Sequence, residues 1–398
     1  MRVLYDGVIY RIQRYGGVVR YFNGLIHHLP SSIHPILLAP NKPAVAPQHP
    51  NLSIFIETCE AILWPIKPLR KSIIAHRSFK RVVAEKPDVI HPTYYYSSLR
   101  HLNQQVHTPT VLTVYDLIHE KFPDEMDPHG KQRRLKQMAV ERADAIICIS
   151  KSTKSDLQKY YRLPDERIRV IYPGSEFVAD ANQSSSFQNG PQNLETLPRA
   201  TEPSFANVES NANGDDPYLL YVGERNFYKN FDRMLEAFAR VTSTHKNIRL
   251  LCVGGKPFSR SEKKLIGELG IAGNVSRQAF LSDHEMQSVY ANALAVIYPS
   301  LYEGFGIPIL EGMACGTAVL TSDRASMPEV AGDAAIFFDP YSVDQIADAM
   351  MEVHEDRSKR AELIAQGLKR AQQFSFSRCA ADTADIYRSV AKRSEAAA

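Results

Sequence analysis

The sequence predicts two α/β domains in tandem, each a doubly wound parallel sheet with helices on both faces. Three observations predict this architecture. A chain of 398 residues is too long for a single hydrophobic core. Short apolar strand patterns alternate with helix patterns in both halves of the chain, which is typical of parallel sheets. A polar segment at residues 178–216 separates the two halves. Because ligands bind beyond the carboxyl ends of such strands, we expect a site in a cleft between the domains.

The first half contains strand patterns and helix patterns in alternation. The strand patterns are short apolar runs, and they lie at residues 2–5, 36–38, 88–91, 110–115, 145–149 and 168–171. The helix patterns lie at residues 17–29, 71–84, 131–142 and 153–161. We therefore assign residues 1–177 to the first domain.

Residues 178–216 differ in composition from both halves. Gln, Ser, Asn, Pro and acidic residues dominate, and Phe187 and Phe205 are the only aromatic residues. Such a segment buries too little apolar surface to offset the entropy lost on ordering. The composition therefore predicts a flexible insert between the two domains.

The alternation of strand and helix patterns resumes at residue 218. Strand patterns lie at residues 218–222, 249–253, 275–279, 295–298 and 318–321. Helix patterns lie at residues 231–241, 261–269, 284–292, 344–355 and 358–374, with one more that begins near Pro308. We assign residues 217–374 to the second domain and residues 375–398 to a terminal helix.

Composition limits the classes of function. A hydrophobic content of 44% and a charged content of 23% are ordinary for a soluble globular protein. The sequence has no run of 18 apolar residues and begins as a strand and turn, so we expect neither a membrane span nor a signal peptide. The five cysteines are odd in number and widely spaced, which indicates a reducing compartment. We therefore expect a cytoplasmic protein.

Charge is distributed unevenly along the chain. Residues 1–175 carry 25 Lys and Arg against 15 Asp and Glu, although the net charge of the whole chain is only +3. This excess fits an acidic partner, such as a membrane surface or a phosphorylated acceptor, and it equally fits a solvated basic face. Residues 64–83 are basic and amphipathic. They fit peripheral contact with the inner face of the membrane, or an apolar face in the core with solvated charges.

The most informative motif is the segment E-G-F-G-I-P-I-L-E, from Glu303 to Glu311. It follows the strand pattern at 295–298 and leads into a helix. Gly306 allows the backbone to approach a ligand, and Pro308 fits the first helical position. The start of that helix presents unpaired amides and a partial positive charge, which favour a phosphate group. Glu311, expected in the first helical turn, can accept hydrogen bonds from a sugar diol.

In this context the segment resembles the E-x₇-E motif of retaining glycosyltransferases of family 4, which have the GT-B fold of two Rossmann-like domains facing a cleft. The resemblance runs from about Gly16 to Tyr387, apart from the insert at 178–216. It implies transfer of a hexose from a nucleoside diphosphate sugar to an acceptor hydroxyl, with retention of anomeric configuration. It further implies that Glu303 contacts the donor sugar at its reacting end and acts as a catalytic residue, that Glu311 holds the ribose, and that the first domain binds the acceptor.

The resemblance also implies further contacts with the donor around this motif. The residues between the two acids that are expected to bind the donor are Phe305, Gly306, Ile307 and Pro308. Leu281 and Ser282 match the turn that lines the nucleobase pocket. Ser282 together with Glu285 also fits a helix capping box, and both interpretations stay open.

Residues 222–230, V-G-E-R-N-F-Y-K-N, resemble the phosphate clamp of the family. Gly223 matches its glycine and Lys229 its lysine, whereas Arg225 stands one residue later than the usual arginine. We predict that Lys229 is catalytic and holds the leaving diphosphate with help from Arg225. One cation about 4 Å from a phosphate oxygen contributes about 4 kcal/mol at an effective dielectric constant near 20. The alternative is a pair of exposed cations at a helix start.

Two segments of the first domain complete the predicted site. Gly16 and Gly17 are similar to the family's glycine-rich loop that approaches the donor phosphate, although a plain strand–helix turn fits them as well. Many members of the family have a histidine near the reacting sugar, at the position of Tyr115. In this sequence Asp116 or His119 would take the role of that histidine. We predict that Asp116 is catalytic because it directly follows the end of the strand pattern at 110–115.

The sequence contains no D-x-D motif, the carboxylate pair that metal-dependent sugar-nucleotide enzymes present. Fixed cations and helix amides would then stabilise the leaving group. We predict a metal-independent reaction, with no metal ligands and no cofactor.

The family context indicates synthesis of a surface polysaccharide, with a glycan or lipid-linked acceptor, a nucleotide-sugar donor such as GDP-mannose, and no nucleic acid as a partner. It also implies that the terminal helix packs back on the first domain, with Phe376 where the family has tryptophan. Two other classes of function stay open. One is a GT-B phosphorylase or epimerase, and the other is a non-catalytic sugar-nucleotide-binding protein.

Overall fold

The computed structural model describes residues 1–39, 41–56, 80–95, 108–177, 216–279 and 281–397. The chain forms two compact units. The first unit contains Met1–Glu176 and Phe374–Ala398, and the second contains Phe177–Gln373. The predicted insert lies outside the described residues, apart from residue 216. Of the basic segment at 64–83, the structure describes residues 80–83, which belong to a helix over residues 80–85.

The described part of the first unit contains seven parallel strands. They are β1 (Arg2–Tyr5), β2 (His34–Ala39), β3 (Ser53–Ile56), β4 (Val89–His91), β5 (Val111–Val114), β6 (Ala145–Cys148) and β7 (Ile168–Val170). The strands form ladders in the orders β3-β2-β1-β4 and β5-β6-β7, which a bridge between Ile90 and Thr110 joins. The resulting order, 3-2-1-4-5-6-7, reverses its winding direction between β1 and β4.

Helices connect these strands, as the alternating pattern predicts. They are α1 (Ile9–Ile12), α2 (Gly17–His27), α3 (Ile118–Lys121), α4 (Pro123–Met126), α5 (Lys131–Arg142) and α6 (Lys151–Tyr161). In α2 the apolar residues recur at helical spacing, and Phe22, Leu25 and Ile26 are fully buried. Ser150 begins α6, and its side chain accepts a hydrogen bond from the amide of Thr153.

The second unit contains a sheet of six parallel strands. They are β8 (Tyr218–Val222), β9 (Arg249–Val253), β10 (Val275–Gln278), β11 (Ala295–Tyr298), β12 (Ala318–Ser322) and β13 (Ile336–Phe338). The sheet order is β10-β9-β8-β11-β12-β13, so the winding direction reverses between β8 and β11. Strands β11 and β12 are buried along their whole length. Continuous apolar runs of this kind occur where helices cover both faces of a sheet.

The helices of the second unit are α7 (Phe231–Thr244), α8 (Arg260–Glu268), α9 (Asp283–Ala291), α10 (Ile307–Ala314), α11 (Met327–Ala331), α12 (Val343–Glu355) and α13 (Arg357–Ala371). The apolar face of α7 packs with α12 over the sheet, and Met234, Phe238 and Met350 are fully buried there. This packing fixes β8 and β11, whose carboxyl ends carry the predicted site.

The terminal helix α14 (Phe376–Ala397) packs on α2, β4 and β5 of the first unit. Phe376, which stands where the family has tryptophan, is 4% exposed. A Cβ atom added at Gly24 would lie 2.5 Å from its ring, and one at Gly174 would lie 2.2 Å from its backbone nitrogen. Both positions therefore require glycine so that the terminal segment can approach.

A chain of buried polar side chains joins α14 to the first sheet. The hydroxyl of Tyr387 lies 2.9 Å from that of Tyr5 and 2.6 Å from Nδ1 of His91. Nε2 of His91 lies 2.9 Å from the hydroxyl of Thr113. Burial lowers the pKa of His91 to about 3. The imidazole is therefore neutral in the folded protein near pH 7.

We expect the stability of the first unit to depend on pH through His91. Its folded pKa lies below its unfolded value of 6.5, so the unfolded state binds the proton first and stability falls as pH drops from about 6.5 toward about 3. The unfolding free energy should fall by about 1.4 kcal/mol more per pH unit in the wild type than in His91→Gln, between about pH 6 and pH 5. Urea unfolding at several pH values measures this slope, and equal slopes would contradict the assignment.

The structure confirms the predicted fold class of two doubly wound parallel sheets and differs in several short elements. Strands β3 and β13 and helices α1, α3, α4 and α11 were not predicted. Each is only three to five residues long. Within the described ranges, no helix is both long enough and apolar enough to cross a membrane.

Candidate active site

The carboxyl ends of β8 and β11 lie at the point where the second sheet reverses its winding direction. Ligands of open parallel sheets bind at such a point. Lys229 follows β8, in a 3₁₀ turn formed by Phe227–Lys229, and Glu303 follows β11. Nζ of Lys229 lies 2.6 Å from Oε1 of Glu303, and each side chain is 13% exposed. The structure thus brings together the two residues of the second unit that the sequence predicts as catalytic.

The ammonium group of Lys229 lies among tyrosine side chains. It donates a hydrogen bond of 3.1 Å to the hydroxyl of Tyr298, and it lies 5.2 Å and 5.1 Å from the ring centres of Tyr228 and Tyr298. Burial acts to lower the pKa of Lys229, but Glu303 and the tyrosines together raise it well above its usual value. Lys229 is therefore positively charged near neutral pH. Among the described residues, Glu303 and Tyr298 take two of its three donors, and the third is available to an anionic ligand.

Asn230 fixes the loop that carries Lys229, and the sequence analysis missed it. Its φ of +58° lies in the left-handed region, which asparagine tolerates better than most residues. Its side-chain amide donates to the carbonyl oxygens of Pro299 (3.1 Å) and Pro340 (2.6 Å). Asn230 thus ties the β8 loop to the loops after β11 and β13. An asparagine directly after the clamp lysine was the available signal.

The segment between the two acids forms the predicted turn and helix start. Gly306 precedes α10 with a φ of +100°, a value that favours glycine, and a Cβ atom there would lie 3.0 Å from Ile309. Phe305 is buried just before the turn. The predicted positions of Pro308 and Glu311 in this helix were wrong. The helix begins at Ile307, so Pro308 is its second residue rather than its first. A missing N–H is harmless at the second position as well, because the first four amides of a helix have no partner within it.

Glu311 does not lie in the first helical turn, as the sequence predicted. It is the fifth residue of α10 and lies beyond that turn, where the helix dipole favours an acid less. Its carboxylate is 5% exposed, and Oε2 accepts a hydrogen bond of 2.7 Å from the hydroxyl of Tyr290 on α9. Tyr290, which the sequence analysis missed, orients this carboxylate. The role of Glu311 as the ribose ligand stays a prediction.

Ser326 holds the backbone of the Glu303 loop. Its hydroxyl lies 2.9 Å from the carbonyl oxygen of Glu303 and 3.0 Å from that of Phe305, and its side chain is fully buried. The single hydroxyl proton is thus shared between two carbonyl groups. Ser326 lies just before α11, far from Glu303 along the chain, and no local pattern pointed to it. We infer that Ser326 positions Glu303.

Replacing Ser326 with alanine should lower both stability and activity. Two buried carbonyl groups would lose their donor, which costs about 1–3 kcal/mol, and the misplaced loop should lower turnover by about tenfold. Ser300→Ala is the matched control, because the Ser300 hydroxyl is buried without a hydrogen-bond partner in the described structure. Thermal unfolding and turnover of both variants measure this, and equal effects would contradict the positioning role.

Gly223 and Arg225 follow β8, and the structure gives them different surroundings. A Cβ atom added at Gly223 would meet nothing within 4 Å, so the space beside it is open. Arg225 is 5% exposed at its side chain, and its Nε donates to Glu262 at 2.6 Å. It also donates to the carbonyl oxygen of Lys256 and lies 4.9 Å from the ring centre of Phe258.

These partners are those of a structural arginine, and Arg225 shares none of them with Lys229. It holds the loop after β9 in place. The contact of Arg225 with the diphosphate stays a prediction.

Leu281 and Ser282 lie directly before α9. Leu281 is 9% exposed. Ser282 begins the helix, its hydroxyl accepts from the amide of Glu285, and the Glu285 carboxylate accepts from the amide of Ser282 at 2.7 Å. The hydrogen bonds from Ser282 lower the pKa of the Glu285 carboxyl. The capping box is therefore formed, and contact of these residues with a nucleobase stays a prediction.

In the first unit, Gly16 and Gly17 form the start of α2, where the predicted glycine-rich loop ends. Gly16 is extended and precedes the helix, and Gly17 is its first residue. A Cβ atom at Gly16 would meet only the flexible end of the Gln13 side chain. Packing therefore does not require glycine at Gly16, and donor contact stays a prediction.

Tyr115 and Asp116 follow β5. Tyr115 is buried and donates to the carbonyl oxygen of Thr93 at 3.0 Å, so it packs rather than replacing the family histidine in an exposed position. Asp116 has a side chain that is 37% exposed. The fully buried ammonium of Lys136 lies 2.8 Å from the Asp116 carbonyl oxygen, 3.9 Å from its Oδ1 and 2.7 Å from Oε2 of Glu120.

Lys136, which was not predicted as a site residue, holds Asp116 through its carbonyl oxygen and carboxylate. Nδ1 of His119 is buried without a hydrogen-bond partner in the described structure, and burial lowers the pKa of that imidazole. The catalytic role of Asp116 stays a prediction. In the described ranges, no group of three His, Cys, Asp or Glu side chains is arranged to hold a metal ion. Metal independence also stays a prediction.

Comparison with known families identifies the chain. A family model described as "Glycosyltransferase Family 4" matches residues 15–176, and one described as "Glycosyl transferases group 1" matches residues 205–370. The chain belongs to the group 1 glycosyltransferases of family 4. Sucrose-phosphate synthase from Thermosynechococcus elongatus has a similar structure, with a TM-score of 0.78 at 20% identity over 98% of both chains. This glycosyltransferase has the GT-B fold.

Other proteins are similar to this chain in sequence or in structure. The O-antigen chain mannosyltransferase B of Escherichia coli is 28% identical over 283 residues, 70% of each chain. The serotype-specific mannosyltransferase WbdA of Escherichia coli is 28% identical over 257 residues, and the match spans only 30% of that protein's length. Anabaena HepE, solved in complex with UDP-glucose, has a TM-score of 0.71 at 15% identity and covers 98% of this chain and 100% of its own.

Proposed function

We propose that this glycosyltransferase moves a hexose from a nucleoside diphosphate sugar to a hydroxyl group of a glycan acceptor, with retention of anomeric configuration. The observation that carries the proposal is the 2.6 Å pair of Lys229 and Glu303 at the point where the second sheet reverses. Similarity to HepE, solved with UDP-glucose, supports a nucleotide-sugar donor. Similarity to the O-antigen mannosyltransferase supports mannose as the transferred hexose and a role in surface polysaccharide synthesis. GDP-mannose is the donor that we propose.

In this proposal Lys229 binds the diphosphate through its third donor. Its ammonium and the amides at the start of α10 stabilise the negative charge that develops on the phosphate as the bond to the anomeric carbon breaks. The acceptor oxygen forms its bond to the anomeric carbon on the same face, and its proton passes to the leaving phosphate oxygen. When the transfer is a single displacement, retention requires this same-face approach.

The carboxylate of Glu303 supplies a negative charge next to the positive charge of Lys229. It lies against Lys229 and is held through its backbone by Ser326, so it keeps a fixed position. There it orients the donor sugar and stabilises positive charge at the anomeric carbon. Asp116 in the first unit, with its partly exposed carboxylate, assists at the sugar. Glu311 binds the ribose.

We further propose that the reaction needs no metal ion and takes place in the cytoplasm, at the inner face of the membrane. The absence of a D-x-D motif supports the first point, with the Lys229 ammonium and the α10 amides available to stabilise the leaving group. The basic segment at 64–83 would provide peripheral contact, and a lipid-linked glycan would then be the acceptor.

A panel of sugar nucleotides, each incubated with the protein in EDTA, tests the function. We expect release of nucleoside diphosphate from GDP-mannose, coupled to glycosylation of a mannose oligosaccharide whose new linkage keeps the donor's configuration by NMR. Epimerised donor, or sugar phosphate formed with inorganic phosphate, would replace the proposal with an epimerase or a phosphorylase. Donor binding without any turnover would indicate a non-catalytic binding protein. Loss of activity in EDTA that Mg²⁺ restores would contradict metal independence.

A further inference from the structure

A lysine side chain is completely buried in the first unit, next to the loop that carries Asp116. Lys136 lies on α5, and its side chain has no exposed surface. Lysine is almost never fully buried unless its charge is paired, because removing an ammonium group from water is costly. Glu120 supplies the paired charge, since its Oε2 lies 2.7 Å from Nζ of Lys136. This carboxylate balances the ammonium charge, so the further contacts of Lys136 need a separate explanation.

Lys136 also contacts Asp116 at two points. Its Nζ donates a hydrogen bond of 2.8 Å to the carbonyl oxygen of Asp116, and it lies 3.9 Å from Oδ1 of the same residue. Oδ1 also accepts a hydrogen bond of 3.1 Å from the amide of Ile118. The protein therefore holds both the backbone of Asp116 and one oxygen of its carboxylate.

The other carboxylate oxygen of Asp116 is available to a ligand. Among the described residues, Oδ2 accepts no hydrogen bond, and the side chain is 37% exposed. Asp116 follows β5 directly, at the edge of the first sheet where the carboxyl ends of its parallel strands lie. Ligands of such sheets bind beyond that edge. The carboxylate thus has one oxygen fixed by the protein and one free to meet a substrate.

The elements around Lys136 hold its ammonium group in place. Tyr161, the last residue of α6, donates a hydrogen bond of 2.5 Å to Oε1 of Glu120 on α3. Nζ of Lys136 lies 5.1 Å from the ring centre of Tyr95, whose hydroxyl accepts a hydrogen bond of 3.2 Å from the amide of Tyr115. Lys136 is thereby fixed between α3, α6 and the segments that follow β4 and β5.

Stability alone does not account for this arrangement. Uncharged side chains of similar volume often replace a buried ion pair with no loss of stability, because the desolvation of both charges offsets their attraction. The placement of the ammonium group against Asp116 indicates a role in function. A buried cation beside a partly exposed carboxylate keeps that carboxylate in one orientation before any substrate binds, and this saves the cost of orienting it during the reaction.

We propose that Lys136 is a positioning residue for sugar transfer, which holds the carboxylate of Asp116 with Oδ1 toward the protein and Oδ2 toward the substrate. Glu120 balances its charge. This inference rests on the proposed function, in which Asp116 assists at the sugar, and it adds the group that keeps Asp116 in place. No local pattern pointed to Lys136, because it stands 20 residues from Asp116 in the sequence.

A variant that removes both buried charges separates positioning from stability. Lys136→Met alone would leave Glu120 buried without its cation, which destabilises the fold. Lys136→Met/Glu120→Gln keeps the side-chain volumes, and its melting temperature should stay within about 4 °C of wild type. Its turnover number should nevertheless fall by about 10–100-fold, the effect of displacing a catalytic group by about 1 Å. The KM values for donor and acceptor should change by less than about threefold, because Lys136 binds neither substrate.

Combination with Asp116→Asn tests whether Lys136 acts through Asp116. The triple variant should turn over less than about threefold slower than Asp116→Asn alone, because both changes remove the same carboxylate function. Lys131→Met is the matched control, since Lys131 is an exposed residue of the same helix, and it should behave as wild type. Lys136→Leu/Glu120→Gln, for which the same losses are expected, replaces the methionine variant if that variant does not fold.

Wild-type turnover in the folded double variant would refute the positioning role, and so would a triple variant in which the separate losses multiply. Wild-type turnover in Asp116→Asn would refute it as well, and would leave sugar transfer by Lys229 and Glu303 unaffected. If the wild type transfers no sugar, the proposed function fails, and a crystal structure of the double variant decides the role of Lys136. A displaced Asp116 carboxylate would support that role, and an unmoved one would exclude it.

Discussion

Replacing Lys229 with alanine is expected to lower the turnover number for sugar transfer by about 10²–10³-fold, the range for losing one preorganised charge-stabilising donor. The ammonium lies at the switch point of the second sheet, with a donor available beyond Glu303 and Tyr298. Its raised pKa keeps it charged throughout the accessible pH range. Binding of GDP should weaken as well, because the diphosphate would lose its main cation.

Two measurements test this prediction: the turnover number, and the affinity for GDP by titration calorimetry. Lys229→Met is a useful second variant, since it fills the volume and separates loss of charge from loss of packing. Lys264→Ala is the control, because Lys264 pairs with Glu268 on the surface of the same unit and is 74% exposed at its side chain. A fall in turnover of less than about threefold in both Lys229 variants, far short of the expected range, would refute the role of Lys229.

Replacing Glu303 with glutamine should also lower turnover by about 10²–10³-fold, but for a different reason. The amide keeps the size and can still accept a hydrogen bond from Lys229, yet it lacks the charge that faces the anomeric carbon. Affinity for GDP should therefore hardly change, because GDP lacks the hexose that Glu303 is proposed to contact. Equal affinities for GDP in Glu303→Gln and wild type, together with the loss of turnover, distinguish this role from that of Lys229.

The double variant Lys229→Ala/Glu303→Gln tests whether the two residues act as a unit. Residues that share one interaction give non-additive effects, so the double variant should be little slower than the slower single variant. If the loss of turnover in the double variant equals the product of the two single losses, the 2.6 Å contact between Lys229 and Glu303 has no role in turnover. A Glu303→Gln enzyme with more than about a third of wild-type turnover, against the expected loss, would remove the acid from the mechanism.

Local patterns predicted the elements that place the site. Strands such as β8 and β11 are apolar runs followed at once by glycine or proline, and both were predicted within a residue of their ends. Lys229 and Glu303 each follow one of these strands, so the rule for parallel sheets places them near one edge. Their contact needed the sheet order, which the sequence does not contain.

Residues that act through tertiary contacts could not be predicted. Ser326 and Tyr290 reach the Glu303–Glu311 segment from other elements, and each looks like an ordinary serine or tyrosine in sequence. Lys136 reads as a surface charge on a basic helix pattern, although it is fully buried. The pairing of Arg225 with Glu262 likewise joins residues that are far apart in sequence.

A crystal structure of the protein with a bound nucleoside diphosphate sugar would show where the leaving group binds. We expect the diphosphate beyond the carboxyl ends of β8 and β11, with an oxygen about 2.7–2.9 Å from Nζ of Lys229, as in charge-assisted hydrogen bonds. The sugar carbon bonded to the phosphate should face the carboxylate of Glu303. A diphosphate bound elsewhere, while Lys229 remains paired only with Glu303 and Tyr298, would contradict this expectation.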